Sequence, residues 1–70
     1  MGVFKLNKEK IGRRLLLLRG KRSRNQVSKD LGISVSTLQM YENGKRIPKD
    51  ELKIKIASYY NQTVGDIFYQ

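Results

Sequence analysis

The sequence predicts an all-α fold of five short helices around one small core. Three observations carry that reading. Apolar residues recur at spacings of three and four, Ser, Thr or Asn stands just ahead of most apolar runs, and glycine stands just behind them at 20, 32 and 44. Seventy residues can bury a single modest core, so one domain is expected at 8–70, preceded by an N-terminal arm at 1–7.

Asn7 can cap a first helix of about 8–19, in which Ile11, Leu15 and Leu18 share one face, and Gly20 ends it. Leu16 and Leu17 fall off that stripe and need another cover: Val3, Phe4 and Leu6 of the arm, the C-terminal aromatics, or a partner subunit. Ser23 followed by Gln26 matches a capping box and opens a helix of about 24–31 with Val27 and Leu31 inward, terminated by Gly32. Ser34 then caps a helix of about 35–43 with Leu38 and Tyr41 inward, and Gly44 supplies the left-handed residue that closes it. Two helices therefore meet across a three-residue turn.

Pro48 with the acidic pair Asp50 and Glu51 marks the first turn of a fourth helix reaching about Tyr60, with Leu52, Ile56, Tyr59 and Tyr60 on its apolar side. LKIKIA also alternates as a strand would. Length, the acidic first turn and the lack of a pairing partner favour helix. Thr63 followed by Asp66 is a second capping box, opening a last short helix with Val64, Ile67 and Phe68 inward.

Fifteen basic residues face six acidic ones, and the excess is lopsided. Residues 1–46 hold twelve basic and three acidic residues, whereas 47–70 hold three of each. Such a field attracts polyanions, because cations that neutralise phosphates release condensed counterions; a solvated basic surface is the alternative. Without cysteine or histidine the chain lacks disulfides and the usual ligands of a zinc or transition-metal site, so neither a metal nor a cofactor is expected. Those absences, with no convergent carboxylates, also argue against an enzyme. The longest apolar run, Leu15 to Leu18, is far shorter than the ~20 residues that span a bilayer, and MGVFKL does not resemble a signal peptide. A cytoplasmic location without membrane contact is the expectation.

The segment SRNQVSKDLGISVSTLQMYENGKRIP, Ser23 to Pro48, concentrates the chemistry. The first turn of a helix carries free N–H groups and a partial positive charge, so its tip can dock on phosphate while residues just inside it reach base edges. The third helix presents Val35, Ser36, Thr37, Gln39 and Met40 outward, none of which carries charge into a groove. Gln39 can bond adenine bidentately, Ser36 and Thr37 can donate or accept, and Val35 or Met40 can touch a thymine methyl. Arg24 before this element and Lys45 and Arg46 after it are suited to gripping phosphate. Glu42 is an acid in the most basic part of the chain, and Arg19 is its natural partner in a pair tying helix 1 to helix 3.

These residues resemble the Cro and phage-repressor family of helix-turn-helix regulators, also called the xenobiotic-response-element type. The likeness rests on IG at 11 and 12, Arg14, LR at 18 and 19, Val27 with Ser28, LGIS at 31–34, ST at 36 and 37, YENGKRIP at 41–48, and IA at 56 and 57, and it covers about residues 8–69. It implies a five-helix, lambda-repressor-like domain with the helix-turn-helix at helices 2 and 3, binding a double-stranded operator as a homodimer. By position, Val35, Ser36, Gln39 and Met40 fall on base-reading sites, while Arg24, Ser34, Thr37, Asn43, Lys45 and Arg46 fall on backbone-contacting ones. Arg19 and Glu42 match the family's interhelical ion pair. Arg24 stands where the family usually has glutamine, the loop between helices 1 and 2 is about two residues shorter than in the lambdoid repressors, and Ser28 replaces the customary alanine.

Two functions are compatible with this reading. One is a sequence-specific transcriptional regulator, a Cro-like protein or repressor of phage or mobile-element kind. The other is an antirepressor or antitoxin-like module that contacts a repressor or other protein through Leu16, Leu17, Ile54 and the aromatics Tyr59, Phe68 and Tyr69.

Overall fold

Side-chain caps set where four of the helices begin. In the computed structural model, which describes residues 6–69, these are α1 (Lys8–Arg19), α2 (Arg24–Leu31), α3 (Val35–Glu42) and α5 (Val64–Phe68), with α4 (Asp50–Tyr59) between the last two. Asn7, Ser23, Ser34 and Thr63 each accept the N–H three residues on, from Lys10, Gln26, Thr37 and Asp66, all at 3.0 Å. The Gln26 amide turns forward to donate to Asp30 Oδ1 at 2.8 Å, so that capping box closes on its serine side rather than reciprocally.

α4 departs from the sequence expectation. Its N-cap, Lys49, makes no side-chain cap bond and keeps an extended ψ of 161°, so winding cannot begin at Pro48. Pro48 instead lies buried ahead of the helix. Asp50 and Glu51 occupy the first turn, where carboxylates oppose the positive end of the helix dipole.

Three helices end in the same way. Beyond α2 the N–H of Ile33 reaches Ser28 O at 2.9 Å, beyond α3 that of Lys45 reaches Met40 O at 2.9 Å, and beyond α4 that of Gln62 reaches Ala57 O at 2.8 Å. This Schellman closure needs a left-handed residue in the middle. Gly32 and Gly44 supply it at φ 73°, and Asn61 does so at φ 61° without the freedom of glycine.

Every helix sends side chains to the centre: Ile11 and Leu15 from α1, Val27 and Leu31 from α2, Leu38 from α3, Ile56 from α4, Ile67 and Phe68 from α5. Each fully buried aliphatic side chain contributes about 1.5–3 kcal/mol, so no helix is held by local propensity alone. α1 lies so close to α3 that a methyl group on Gly12 would stand 2.5 Å from Glu42 O. The remaining helices are tied by polar bonds as well as packing. Arg14 Nη1 donates to Ile67 O at 2.7 Å, joining α1 to α5, and Tyr59 Oη donates to Asp30 Oδ2 at 2.6 Å, joining α4 to α2. The Arg22 guanidinium lies 5.4 Å from the Tyr59 ring and 5.5 Å from that of Tyr60, clamping the α1–α2 loop on the end of α4.

Leu6 packs against the core, whereas Val3 and Phe4 lie outside the described residues. Among the described residues nothing covers Leu17, which is 79% accessible, or Ile54, at 62%, and Leu16 is also exposed. Tyr59 is half-buried and Phe68 is part of the core. No described helix is long and apolar enough to cross a membrane.

Candidate nucleic-acid interface

One face of α3 is locked and the other is open. Leu38, Tyr41 and Glu42 are buried, while Val35, Ser36, Gln39 and Met40 all lie exposed on the opposite side. Positions spaced by three and four share a helix face, so Val35 stacks on Gln39 and Ser36 on Gln39 and Met40, which is why these four side chains form one surface. Even the two apolar ones stay in water, Val35 at 36% and Met40 at 41% accessibility.

The tip of α3 is a small hydroxyl cluster. Ser34 Oγ accepts from Thr37 N–H at 3.0 Å and donates to Thr37 Oγ1 at 2.9 Å, leaving Ser34 exposed and Thr37 half-buried. After α3, Asn43, Lys45 and Arg46 are all exposed on a loop that the Gly44 closure holds in shape. That loop is pressed against the start of α1, since a methyl group at Gly44 would lie 3.1 Å from Glu9 Cα and 3.3 Å from Lys8 O. Arg46 Nη1 lies 4.0 Å from Met40 Sδ, at the far end of the open face. The turn between α2 and α3 is fixed by the closure at Gly32 and by half-buried Ile33.

Glu42 is the structural hinge of the region. Its side chain has no solvent access, and an unpaired carboxylate so placed would cost several kcal/mol, on the order of 3–5 when a partner is removed. Arg19 Nε donates to Oε2 at 2.7 Å, and Arg24 Nε donates to Oε1 at 2.8 Å. Arg24, read from the sequence as a phosphate contact, thus has a second attachment inside the protein. The sequence carried a signal for it: Glu42 is the sole acid between residues 31 and 49, with arginines at both 19 and 24 within reach of it once α1 and α2 pack on α3.

Two other polar groups were not anticipated. Lys53 is buried in α4, where Nζ donates to Tyr69 Oη at 2.9 Å and pairs with Asp50 Oδ1 at 3.4 Å, 5.1 Å from the centre of the Tyr69 ring. The Tyr69 hydrogen bond, opposed in part by burial, raises its pKa above the usual lysine value. The Tyr60 hydroxyl is buried without a hydrogen-bond partner among the described residues, and burial, followed by the negative charge of Glu42, pushes its pKa up to about 12. Both groups lie in α4 or just beyond it, away from the open face of α3. Among the described residues no group of three Asp, Glu, His or Cys could hold a metal ion.

A family model described as helix-turn-helix matches residues 13–67, a span that begins inside α1 and ends in α5. No curated protein and no solved structure matches the chain significantly. The matched span, the order of the five helices and the closed turn between α2 and α3 agree, and the chain belongs to the helix-turn-helix family of DNA-binding regulators, of the Cro and phage-repressor type.

Proposed function

We propose that this protein regulates transcription by binding a specific double-stranded operator, with α3 in the major groove and two copies on half-sites about one helical turn apart. The reading extends to a Cro-like or repressor role of phage or mobile-element kind, with residues 8–70 as the binding domain and 1–7 as its arm. The observation that carries it is the open face of α3: four uncharged, accessible side chains followed by the exposed cations Lys45 and Arg46, with half-buried Arg24 held against Glu42. In this reading Val35, Ser36, Gln39 and Met40 meet base edges. Ser34, Thr37, Asn43, Lys45, Arg46 and Arg24 meet the backbone, which positions the protein without reading sequence.

Selection of bound duplexes from a random pool supplies the operator, and two variants then separate the roles. Gln39→Ala is expected to cost about 1–3 kcal/mol on the selected site and to relax base preference at one position. Lys45→Ala is expected to weaken all sequences alike and to flatten the salt slope by about one. Identical effects of both across a site library would overturn the assignment. The exposure of Leu17 and Ile54 supports a subunit or partner-protein contact at one of these side chains. Sedimentation that shows a monomer both free and on a palindromic duplex would remove the homodimer.

A further inference from the structure

We infer that Glu42, which has no surface of its own, is a positioning residue for DNA binding: it holds Arg24 in the orientation that meets a phosphate. The inference rests on the reading that Arg24 is a backbone contact. Its physical basis is the inequality of the two arginines that share the carboxylate.

Arg19 is used up as a strut. Its Nε bonds Glu42 Oε2, its Nη1 donates to Arg22 O at 2.8 Å, and its side chain is only 16% accessible. Arg24 is bound through Nε alone, its side chain is 30% accessible, and among the described residues its Nη groups meet no protein acceptor. A guanidinium offers five N–H donors in a rigid plane, so fixing Nε fixes the direction of the other four. One carboxylate also faces two cations, which leaves one positive charge over at the more exposed of them. A tethered guanidinium loses less freedom on meeting a phosphate than a free one, and its surplus charge has an anion to find. Lysine could supply the charge but not the rigid fork.

The test is a double-mutant cycle read on DNA, using a duplex selected by the wild-type protein and a scrambled version of it. Folding of each variant is checked first by circular dichroism and thermal melting. Arg24→Ala is expected to bind both duplexes roughly tenfold more weakly, the worth of one charge-assisted hydrogen bond, with a salt slope shallower by about one. Glu42→Gln, which keeps volume but puts an N–H₂ donor against an arginine, is expected to lose a similar factor. Combined with Arg24→Ala it is expected to lose nothing more. Additive losses in the double variant, or wild-type affinity in folded Glu42→Gln, would overturn the inference. If Glu42→Gln does not fold, Arg24→Lys decides: affinity near that of Arg24→Ala supports tethering, and affinity equal to wild type shows that charge alone suffices. Wild-type protein without affinity for any duplex defeats the DNA reading itself, whereas unchanged binding by Arg24→Ala defeats only the role given to Arg24 and Glu42.

Discussion

Alanine at Gly12 and alanine at Gly65 are expected to move stability in opposite directions, although both replace a helical glycine. At Gly12 the new methyl carbon would stand 2.5 Å from Glu42 O, 2.9 Å from Tyr41 O and 3.0 Å from Glu42 C. All three atoms are backbone, so no side chain can swing aside; α1 and α3 must separate. Overpacking of this kind costs about 1–3 kcal/mol, against about 1 kcal/mol returned by the helix propensity of alanine. The separation also stretches the 2.7 Å bond from Arg19 to Glu42, whose carboxylate has no water to fall back on. We therefore place the net loss near the upper end, at about 2 kcal/mol. A domain of this size holds only about 0.05–0.15 kcal/mol per residue, so that loss is a large fraction of the total. At about 4–8 °C per kcal/mol it lowers the melting temperature by roughly 8–16 °C. At Gly65, by contrast, the nearest atom is Thr63 Oγ1 at 3.8 Å, an ordinary contact, and the backbone is already helical. Alanine there is expected to stabilise by up to about 1 kcal/mol. Urea and thermal unfolding followed by far-ultraviolet circular dichroism measure both. A Gly12→Ala protein that melts at or above wild type would refute the close-approach argument.

Tyr60→Phe removes a buried hydroxyl that has no hydrogen-bond partner among the described residues, and is expected to raise stability at neutral pH by about 1 kcal/mol. Because the folded phenol titrates near 12 and an unfolded tyrosine near 10, folded protein holds that proton more tightly; stability is intact below about pH 10 and falls as pH climbs toward 12. Lys53, whose pKa is raised above the usual lysine value, is common to both proteins, so the difference between their urea midpoints isolates Tyr60, and equal alkaline losses would contradict the assignment. Asn61→Gly relieves a left-handed non-glycine backbone at φ 61° and is expected to add about 0.5 kcal/mol in thermal melts; a lower melting temperature would show that the asparagine side chain contributes more than its strain costs.

Much of this architecture is written in short-range relations that a one-dimensional reading can follow. A cap joins a side chain to an N–H three residues away, as at Asn7, Ser23, Ser34 and Thr63, so the starts of those helices were legible before any packing was known. The open face of α3 was legible for a similar reason: Leu38 and Tyr41 must point inward, and the helical period then sends Val35, Ser36, Gln39 and Met40 the other way. Pro48 misled because a proline before an acidic pair fits the first turn equally well, and only the extended backbone at Lys49 shows the helix starting later.

Length, charge asymmetry, the starts of the four side-chain-capped helices and the identity of the face turned outward were therefore determined by the chain alone, since each depends on neighbours within one turn or on simple composition. Tertiary structure decided which distant groups meet. Arg24 and Glu42 are 18 residues apart and Lys53 and Tyr69 are 16 apart, and no local rule says that either pair will touch. The exposure of Leu17 and the isolation of the Tyr60 hydroxyl belong to the same class, because burial is a property of everything packed nearby and not of the residue itself.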